Sequence, residues 1–301
     1  MPSSALLPGP ISTPGAISED ALRLRDALRS AIDTLEQNDV GSPRMNAETL
    51  LMFVIDSHRA YLYAHPEREL TDDELQRYNE AVADRCRGVP AQYITGHQEF
   101  WGLDFLVSPA VLIPRPETEH LVETAIEIAR DMERAVIIDV GTGSGCIALA
   151  LENELPHAEV HAVDLSPDAL EIARANAARL RLERVRFHIT DLLAGFPDEF
   201  ADMIVSNPPY VGECEADKVQ AQVRKFEPHM AVFGGPEGPE LIRKLIEQAQ
   251  QVLKPGGWLL IEIGYTQSPL LEDLLKGWDD VHFVPDLQGI PRVAVGRKAG
   301  G

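Results

Sequence analysis

The sequence predicts an α/β protein, a mostly parallel sheet with helices on both faces, preceded by a small helical domain and a β-hairpin. Three observations carry that prediction. From about residue 114 onward, short apolar runs alternate with segments of helical period, the pattern of strand, helix, strand that builds a parallel sheet. One apolar run, Ala135-Val136-Ile137-Ile138-Asp139-Val140, passes directly into Gly141-Thr142-Gly143-Ser144-Gly145 and then into the helix-like Cys146-Ile147-Ala148-Leu149-Ala150-Leu151. Strand, glycine loop and helix N-terminus in that order let a ligand approach the backbone closely. Before residue 90 the apolar positions recur near 3.6 spacing instead. A chain of 301 residues suggests about two domains, and a hydrophobic fraction of 45% supports a sizeable core.

Taken in order, residues 1–17 are expected to be a disordered tail. The first 16 are rich in Ser, Pro and Gly and contain no Lys or Arg, so they lack the basic start of a signal peptide and the arginines of a transit peptide. Residues 18–90 form a helical domain. Ser18 caps its first helix, with Leu22, Ala27, Leu28, Ala31, Ile32 and Leu35 on one face. Asn46 precedes the next helix, Ala47 to Ile55. Thr71-Asp72-Asp73-Glu74 reads as a capping box, Thr71 at the N-cap and Glu74 at N3. That helix stops at Gly88, with Pro90 behind it. Residues 91–113 read as strands turning around Trp101-Gly102, a β-hairpin linker.

Residues 114–298 form the α/β domain. A helix follows Pro116, with Leu121, Val122, Ala125, Ile126 and Ala129 on one face. Val160 to Val163 is a second strand ending in Asp164, and Val185 to Thr190 a third that Asp191 closes. Ser166-Pro167 starts a helix with proline at its first position. Met203 to Ser206 is another strand. Trp258 to Ile263 follows the turn Lys254-Pro255-Gly256-Gly257 as a further buried one. His161 lies mid-strand and reads as core.

Charge and cysteines narrow the function classes. Lys+Arg 27 against Asp+Glu 48 gives −21. Residues 1–90 carry −6 and the remainder −15, and no lysine precedes Lys218. Duplex DNA binding usually needs a basic face, so an acidic enzyme points to a basic protein partner and away from nucleic acid. Acidity also supports solubility by itself. Cys86, Cys146 and Cys214 are widely spaced without a Cys-x-x-Cys, which argues against a disulfide framework or zinc site and suits the cytoplasm. The nine histidines are scattered without metal-ligand spacing. No apolar stretch reaches the roughly 18 residues of a membrane span.

The glycine loop has a telling departure. A dinucleotide fingerprint wants a third glycine at the sixth position, which here is Cys146, and the Gly-Lys-Ser/Thr of a phosphate loop is absent. Glycine-x-glycine-x-glycine without a phosphate anchor fits S-adenosyl-L-methionine. Asp164, about 20 residues on, can hydrogen-bond ribose hydroxyls, and Asp191 would sit near the adenine. The second motif is Asn207-Pro208-Pro209-Tyr210, directly after the strand Met203-Ile204-Val205-Ser206. The prolines stiffen it and remove two donors. Asn207's side-chain carbonyl and the Pro208 carbonyl are left as two acceptors beside the Tyr210 ring. A planar –NH2 fits between them, so the motif suggests chemistry on an amide or exocyclic amine nitrogen.

The chain, from about residue 18 to about 297, resembles the release-factor glutamine methyltransferases, the protein-(glutamine-N5) methyltransferase family. The resemblance rests on Pro90-Ala91-Gln92-Tyr93-Ile94-Thr95-Gly96, Glu99-Phe100-Trp101-Gly102, Val111 to Glu119 with its Ile-Pro-Arg-Pro-Glu-Thr-Glu block, the glycine loop, Asn207 to Tyr210 and Phe226-Glu227-Pro228. It implies a class I S-adenosylmethionine-dependent methyltransferase, Rossmann-like, in which 18–90 recognises substrate and 114–298 is the methyltransferase domain. It also implies methyl transfer to the glutamine of a Gly-Gly-Gln motif in peptide chain release factors by a cytoplasmic monomer. Gly141, Thr142, Gly143, Ser144, Gly145, Asp164, Asp191 and Asn207 would hold the cofactor. Leu192 stands at a cofactor-contact position that an aromatic residue often fills. Asn207, Pro208, Pro209 and Tyr210 would hold the glutamine, with Asn207, Pro208 and Tyr210 acting in catalysis. Phe100 and Arg115 to Glu119 would close the pocket wall, with an ion-pair role for Arg115, Glu117 and Glu119 equally open. The alternatives are an N6-adenine DNA methyltransferase, whose amino group suits the same clamp, and an adaptor with a vestigial catalytic domain.

Overall fold

The structure, a computed structural model, describes residues 23–300. The expected tail, the Ser18 cap and Leu22 lie outside the described residues. The chain divides into two compact units between Thr95 and Gly96.

The first unit is helical: α1 (Leu24–Gln37), α2 (Pro43–Val54), α3 (Arg59–Ala64), α4 (Asp72–Cys86) and α5 (Ala91–Thr95). Ala27, Ala31 and Leu35 are fully buried on one face of α1 and meet Leu50, Leu51, Tyr78 and Val82 in one core. Each buried Leu or Val among them contributes about 1.5–3 kcal/mol by leaving water, and each alanine less than about 1 kcal/mol. The capping box forms: Glu74 N donates to Thr71 Oγ1 at 3.2 Å and Thr71 N to Glu74 Oε2 at 2.9 Å. Gly88 follows the C-cap with φ +89°, the left-handed turn that glycine adopts freely. Two readings are corrected. The second helix starts at Pro43 rather than after Asn46, because Pro43 supplies a preset first turn. Asn46 sits inside it, donating to Gly41 O and accepting from Arg85 Nε. Residues 91–95 are helical rather than strand. Pro90 opens the turn, its carbonyl accepting from Tyr93 N and Ile94 N, and this overrides the strand preference of Tyr93-Ile94-Thr95.

The second unit begins with an antiparallel hairpin, β1 (His97–Phe100) and β2 (Leu103–Leu106), turning at Trp101-Gly102. Residues 107–113 carry no strand. A 3-10 turn at Pro116–Thr118 leads into α6 (Glu119–Ala129). Then come β3 (Val136–Val140), α7 (Cys146–Glu154), β4 (Glu159–Asp164), α8 (Pro167–Leu180), β5 (Arg186–Ile189) and β6 (Ala201–Ser206). A 3-10 stretch at Glu213–Lys218 precedes α9 (Ala221–Phe226) and α10 (His229–Val232). The chain continues through α11 (Glu240–Val252), β7 (Leu253–Glu262), α12 (Ser268–Leu274), β8 (Asp279–Pro285) and β9 (Pro291–Arg297). The sheet order is β5-β4-β3-β6-β7-β9-β8, parallel from β5 to β7, with β9 antiparallel to both its neighbours. The Lys254 to Gly257 segment, read as a turn, belongs to β7, whose pairing with β6 is irregular between Ala201 and Met203. Ser166 Oγ accepts from Ala169 N at 3.2 Å and, with Pro167 behind it, starts α8 as expected.

This topology creates the site. From β3 the chain goes outward to β4 and β5, then returns across β3 to β6 and β7. The strand order therefore reverses between β3 and β6, and the crevice beyond the carboxyl ends of β3, β4 and β6 is where open α/β sheets bind ligands.

Candidate active site

The glycine loop leaves β3 with Gly141 at φ +75°, Gly143 at +55° and Gly145 at +82°. A Cβ built at Gly141 or Gly143 would meet nothing within 4 Å, so these two glycines supply the left-handed backbone and leave open space beside it. Gly145 has another role: its added Cβ would lie 3.1 Å from the Ala173 Cβ of α8, so it lets two helices pack closely. Gly141 N and Thr142 N donate to Val163 O at 2.8 and 2.9 Å, pinning the loop to β4.

Asp164 ends β4. Its Oδ2 accepts from Gly143 N and its Oδ1 from Ser166 N, both at 2.9 Å. Burial pushes its carboxyl above the usual carboxylate range, against the pull of these backbone donors. Asp139, on β3, is completely buried. Its Oδ2 accepts from Thr142 Oγ1 at 2.6 Å and from Ala148 N at 3.2 Å, and its Oδ1 has no hydrogen-bond partner. Desolvation raises this carboxyl to about 7, opposed by the Thr142 and Ala148 hydrogen bonds and reinforced by the charge on Asp164. Asp139 was missed as a site residue because it read as part of an apolar strand; an acid inside Val-Ile-Ile-Asp-Val was the available signal. Asn176 was missed too. Fully buried on α8, it joins the hairpin to the loop, donating to Leu106 O and Ser144 O and accepting from Leu106 N at 2.6 Å.

Asn207 to Tyr210 leave the end of β6. Asn207 Nδ2 donates to Thr118 Oγ1 at 3.1 Å, so the carbonyl end of its amide points away from that contact. Thr118 is 2% exposed, and its hydroxyl lies beside the Glu262 carboxyl at the end of β7, whose charged form it favours. The following backbone is held by Gly234, whose N donates to Val211 O at 3.0 Å; a Cβ there would sit 2.2 Å from Pro209 O. Tyr210 packs against the sheet core, its ring beside Gly264 and its carbonyl accepting from Gln267 Nε2 at 3.0 Å. Burial raises its phenol above the ordinary range.

These two motifs share one cavity of ≈ 290 Å³. Gly141, Thr142, Gly143, Ser144, Asp164, Asp191, Leu192, Asn207 and Pro209 all line it. Gly145, Pro208 and Tyr210 do not: Gly145 faces α8, Pro208 is buried, and Tyr210 packs toward the core. Leu192 reaches the wall from a left-handed backbone at φ +53°. Asp191 is also paired with Lys244 of α11.

Within the expected wall, Arg115 and Thr118 line the cavity, while Phe100 is corrected to a core residue, 1% exposed and edge-on to Phe105. Arg115 is ion-paired with Glu227, whose other oxygen accepts from Ile113 N at 3.3 Å. Glu119 accepts from Trp101 N at 2.8 Å and so braces the hairpin turn. The lining offers backbone donors, two carboxylates and apolar walls. Its basic side chain, Arg115, is already paired, which suits a neutral or cationic ligand better than a phosphate.

Comparison with known proteins fits this geometry. A family model described as the PrmC N-terminal domain matches residues 26–96, and one described as a methyltransferase domain matches residues 131–285. A release factor glutamine methyltransferase of Koribacter versatilis is 59% identical over 278 residues, covering 92% of this chain and 99% of the relative. One of Escherichia coli is 40% identical over 273 residues, covering 90% and 97%. Among solved structures, the hMettl16 catalytic domain in complex with a MAT2A 3'UTR hairpin has a TM-score of 0.54 at 17% identity, covering 77% of this chain and 84% of that one; at that identity the likeness concerns the fold.

Proposed function

The chain belongs to the release factor glutamine methyltransferases and is an S-adenosyl-L-methionine-dependent methyltransferase, and from that membership we propose that it methylates the side-chain amide nitrogen, N5, of the glutamine in the Gly-Gly-Gln motif of a peptide chain release factor. The observation that carries this reading is the Asn207 amide, held by its nitrogen on Thr118 in the wall of a cavity it shares with the glycine loop. An acceptor presented there, next to the donor-poor Pro208-Pro209 backbone, suits a substrate that offers two N–H groups.

The cofactor supplies an electrophilic methyl on sulfur. The residues present fit it: open space at Gly141 and Gly143, a buried Ser144 Oγ without a partner, and Asp164 at the strand end. Asp164 would accept from the ribose hydroxyls, and Asp191 and Leu192 would border the adenine.

The chemical difficulty lies with the substrate. A carboxamide nitrogen is a poor nucleophile because its lone pair is delocalised into the carbonyl. Asn207 Oδ1 and the Pro208 carbonyl each accept one amide N–H, which fixes the nitrogen and directs its lone pair to the reacting side. Orienting two reactants in this way can lower a barrier by about 7–11 kcal/mol. Tyr210, whose ring packs toward the sheet core, would brace the Pro208-Pro209 backbone from behind. No general base is required, because the N-methylated amide is a strong acid that yields its proton to water. Among the described residues no helix is long and apolar enough to cross a membrane, and the net charge of −21 favours a basic partner that itself docks on RNA. The helical residues 23–95 would recognise the factor. The enzyme would act as a cytoplasmic monomer without binding nucleic acid.

Asn207→Ala tests the reading. It should leave S-adenosyl-L-methionine binding within a few-fold of wild type by calorimetry and cut methyl transfer to a purified release factor by at least about a hundredfold, since one of two positioning acceptors is gone. Near-normal turnover would remove Asn207 from the mechanism.

A further inference from the structure

An asparagine amide has two ends of nearly the same size and opposite hydrogen-bonding sense, and the proposed reaction works with only one of them facing the substrate. Beyond Asn207 the structure shows a buried chain of polar groups that bears on that choice. Asn207 Nδ2 donates to Thr118 Oγ1 at 3.1 Å, and the Thr118 hydroxyl lies beside the Glu262 carboxyl, whose charged form it favours. Thr118 is 2% and Glu262 4% exposed, and Glu262 Oε2 is buried with no hydrogen-bond partner. A carboxylate at the end of a central strand is costly unless something uses it. Building on the reading of Asn207 above, we propose that Thr118 and Glu262 are positioning residues, a relay that fixes which end of the Asn207 amide faces the substrate.

The single hydroxyl proton of Thr118 decides which end turns. With Glu262 ionised, that proton points to the carboxylate. Thr118 Oγ1 must then act as acceptor toward Asn207, so Nδ2 turns to Thr118 and Oδ1 to the substrate N–H. With Glu262 protonated, the carboxylic acid can itself donate to Thr118. The threonine proton then swings toward Asn207, and the amide turns over to present Oδ1 to Thr118 and its NH2 to the substrate. Two donors then face each other, and the glutamine amide loses one of its two anchors. The proton moves only among these groups; no bond to carbon is made or broken in the relay.

The surroundings place this switch near neutrality. Glu262 is held up to about 7 mainly by burial, opposed by the Thr118 hydrogen bond, with Glu117 raising it and Arg292 and Arg115 lowering it. Tyr210 and Cys146 also face it and feel its charge. Methyl transfer therefore falls as pH drops through the Glu262 titration and is complete above it.

The test uses the full chain, a purified unmethylated release factor and labelled S-adenosyl-L-methionine between about pH 5.5 and 8.5, bracketing an ordinary and a raised carboxyl. Thr118→Val, which keeps the shape and loses the hydroxyl, should lower kcat at least about tenfold, with cofactor affinity and KM for the factor within about threefold of wild type. Thr118→Ser should restore most of that loss. Glu262→Gln, which cannot ionise, should abolish the acid limb seen in the wild-type kcat profile. A Thr118→Val enzyme with wild-type kcat, or a Glu262→Gln enzyme with the wild-type acid limb, overturns the relay. If Thr118→Val does not fold, the Glu262→Gln profile decides alone. Asn207→Ala separates the levels. If it is inactive while both relay variants behave as wild type, the relay is wrong and the clamp stands. If it is fully active, the clamp reading itself has failed.

Discussion

Replacing Asp164 with alanine removes one carboxylate that the structure ties to the backbone and that the proposed function gives a second task at the ribose. Both of its oxygens accept backbone donors at 2.9 Å, Gly143 N from the glycine loop and Ser166 N from the start of α8. Each oxygen has a further lone pair, and those are the ones assigned to the ribose hydroxyls. A hydrogen bond to a charged group is worth about 1.5–3 kcal/mol, which in a dissociation constant is a loss of about 10- to 150-fold. The loop should also lose order in the cofactor-free protein, because the Gly143 and Ser166 donors are left without acceptors. Two measurements separate the tasks. Calorimetry reports the S-adenosyl-L-methionine affinity, and thermal melts without cofactor report the loss of the backbone contacts. A folded Asp164→Ala variant with unchanged affinity would refute the ribose assignment, even if its melting temperature fell.

Asp139 is raised to about 7 by burial, so the folded protein holds a proton there that the unfolded chain releases near its ordinary carboxyl range. The stability linked to that proton is fully present at low pH and is lost as pH rises through about 7. Asp139→Asn keeps the shape and one acceptor without the charge, so its melting temperature should gain on wild type from about pH 4 to about pH 7 and level off above; a constant difference between about pH 4 and pH 7 would contradict the assignment. A short Gly-Gly-Gln peptide should be methylated at least ~100-fold less efficiently than the folded release factor, because docking energy remote from the glutamine is lost. Equal kcat/KM for both would show that recognition ends at the clamp.

What the sequence disclosed was local. The glycine loop, the Thr71–Glu74 capping box and Asn207 to Tyr210 are each set by a few consecutive residues whose backbone preferences agree. The Phe100 reading failed because a hairpin residue can face either the core or a ligand, and only packing against Phe105 decides. Ala91 to Thr95 misled through side chains that favour strands, while Pro90 supplied the turn. The relay was invisible for another reason. Asn207 and Thr118 are 89 residues apart and meet because β6 and the Pro116–Thr118 turn converge at one end of the sheet. Glu262 did leave a trace, a charge closing the run Leu259-Leu260-Ile261, as Asp139 did in β3. A buried acid inside an apolar strand has a cost that packing alone does not justify.

We propose that this chain places a methyl on one glutamine nitrogen of a release factor. Incubating the full-length enzyme with S-adenosyl-L-methionine, a purified unmethylated release factor and duplex DNA, then sequencing the products by mass spectrometry, tests it directly. The expected products are one added methyl on the side chain of the Gly-Gly-Gln glutamine, absent with Asn207→Ala, and unmodified DNA. Methyl label on adenine, or an unmodified glutamine beside active cofactor turnover, would contradict it.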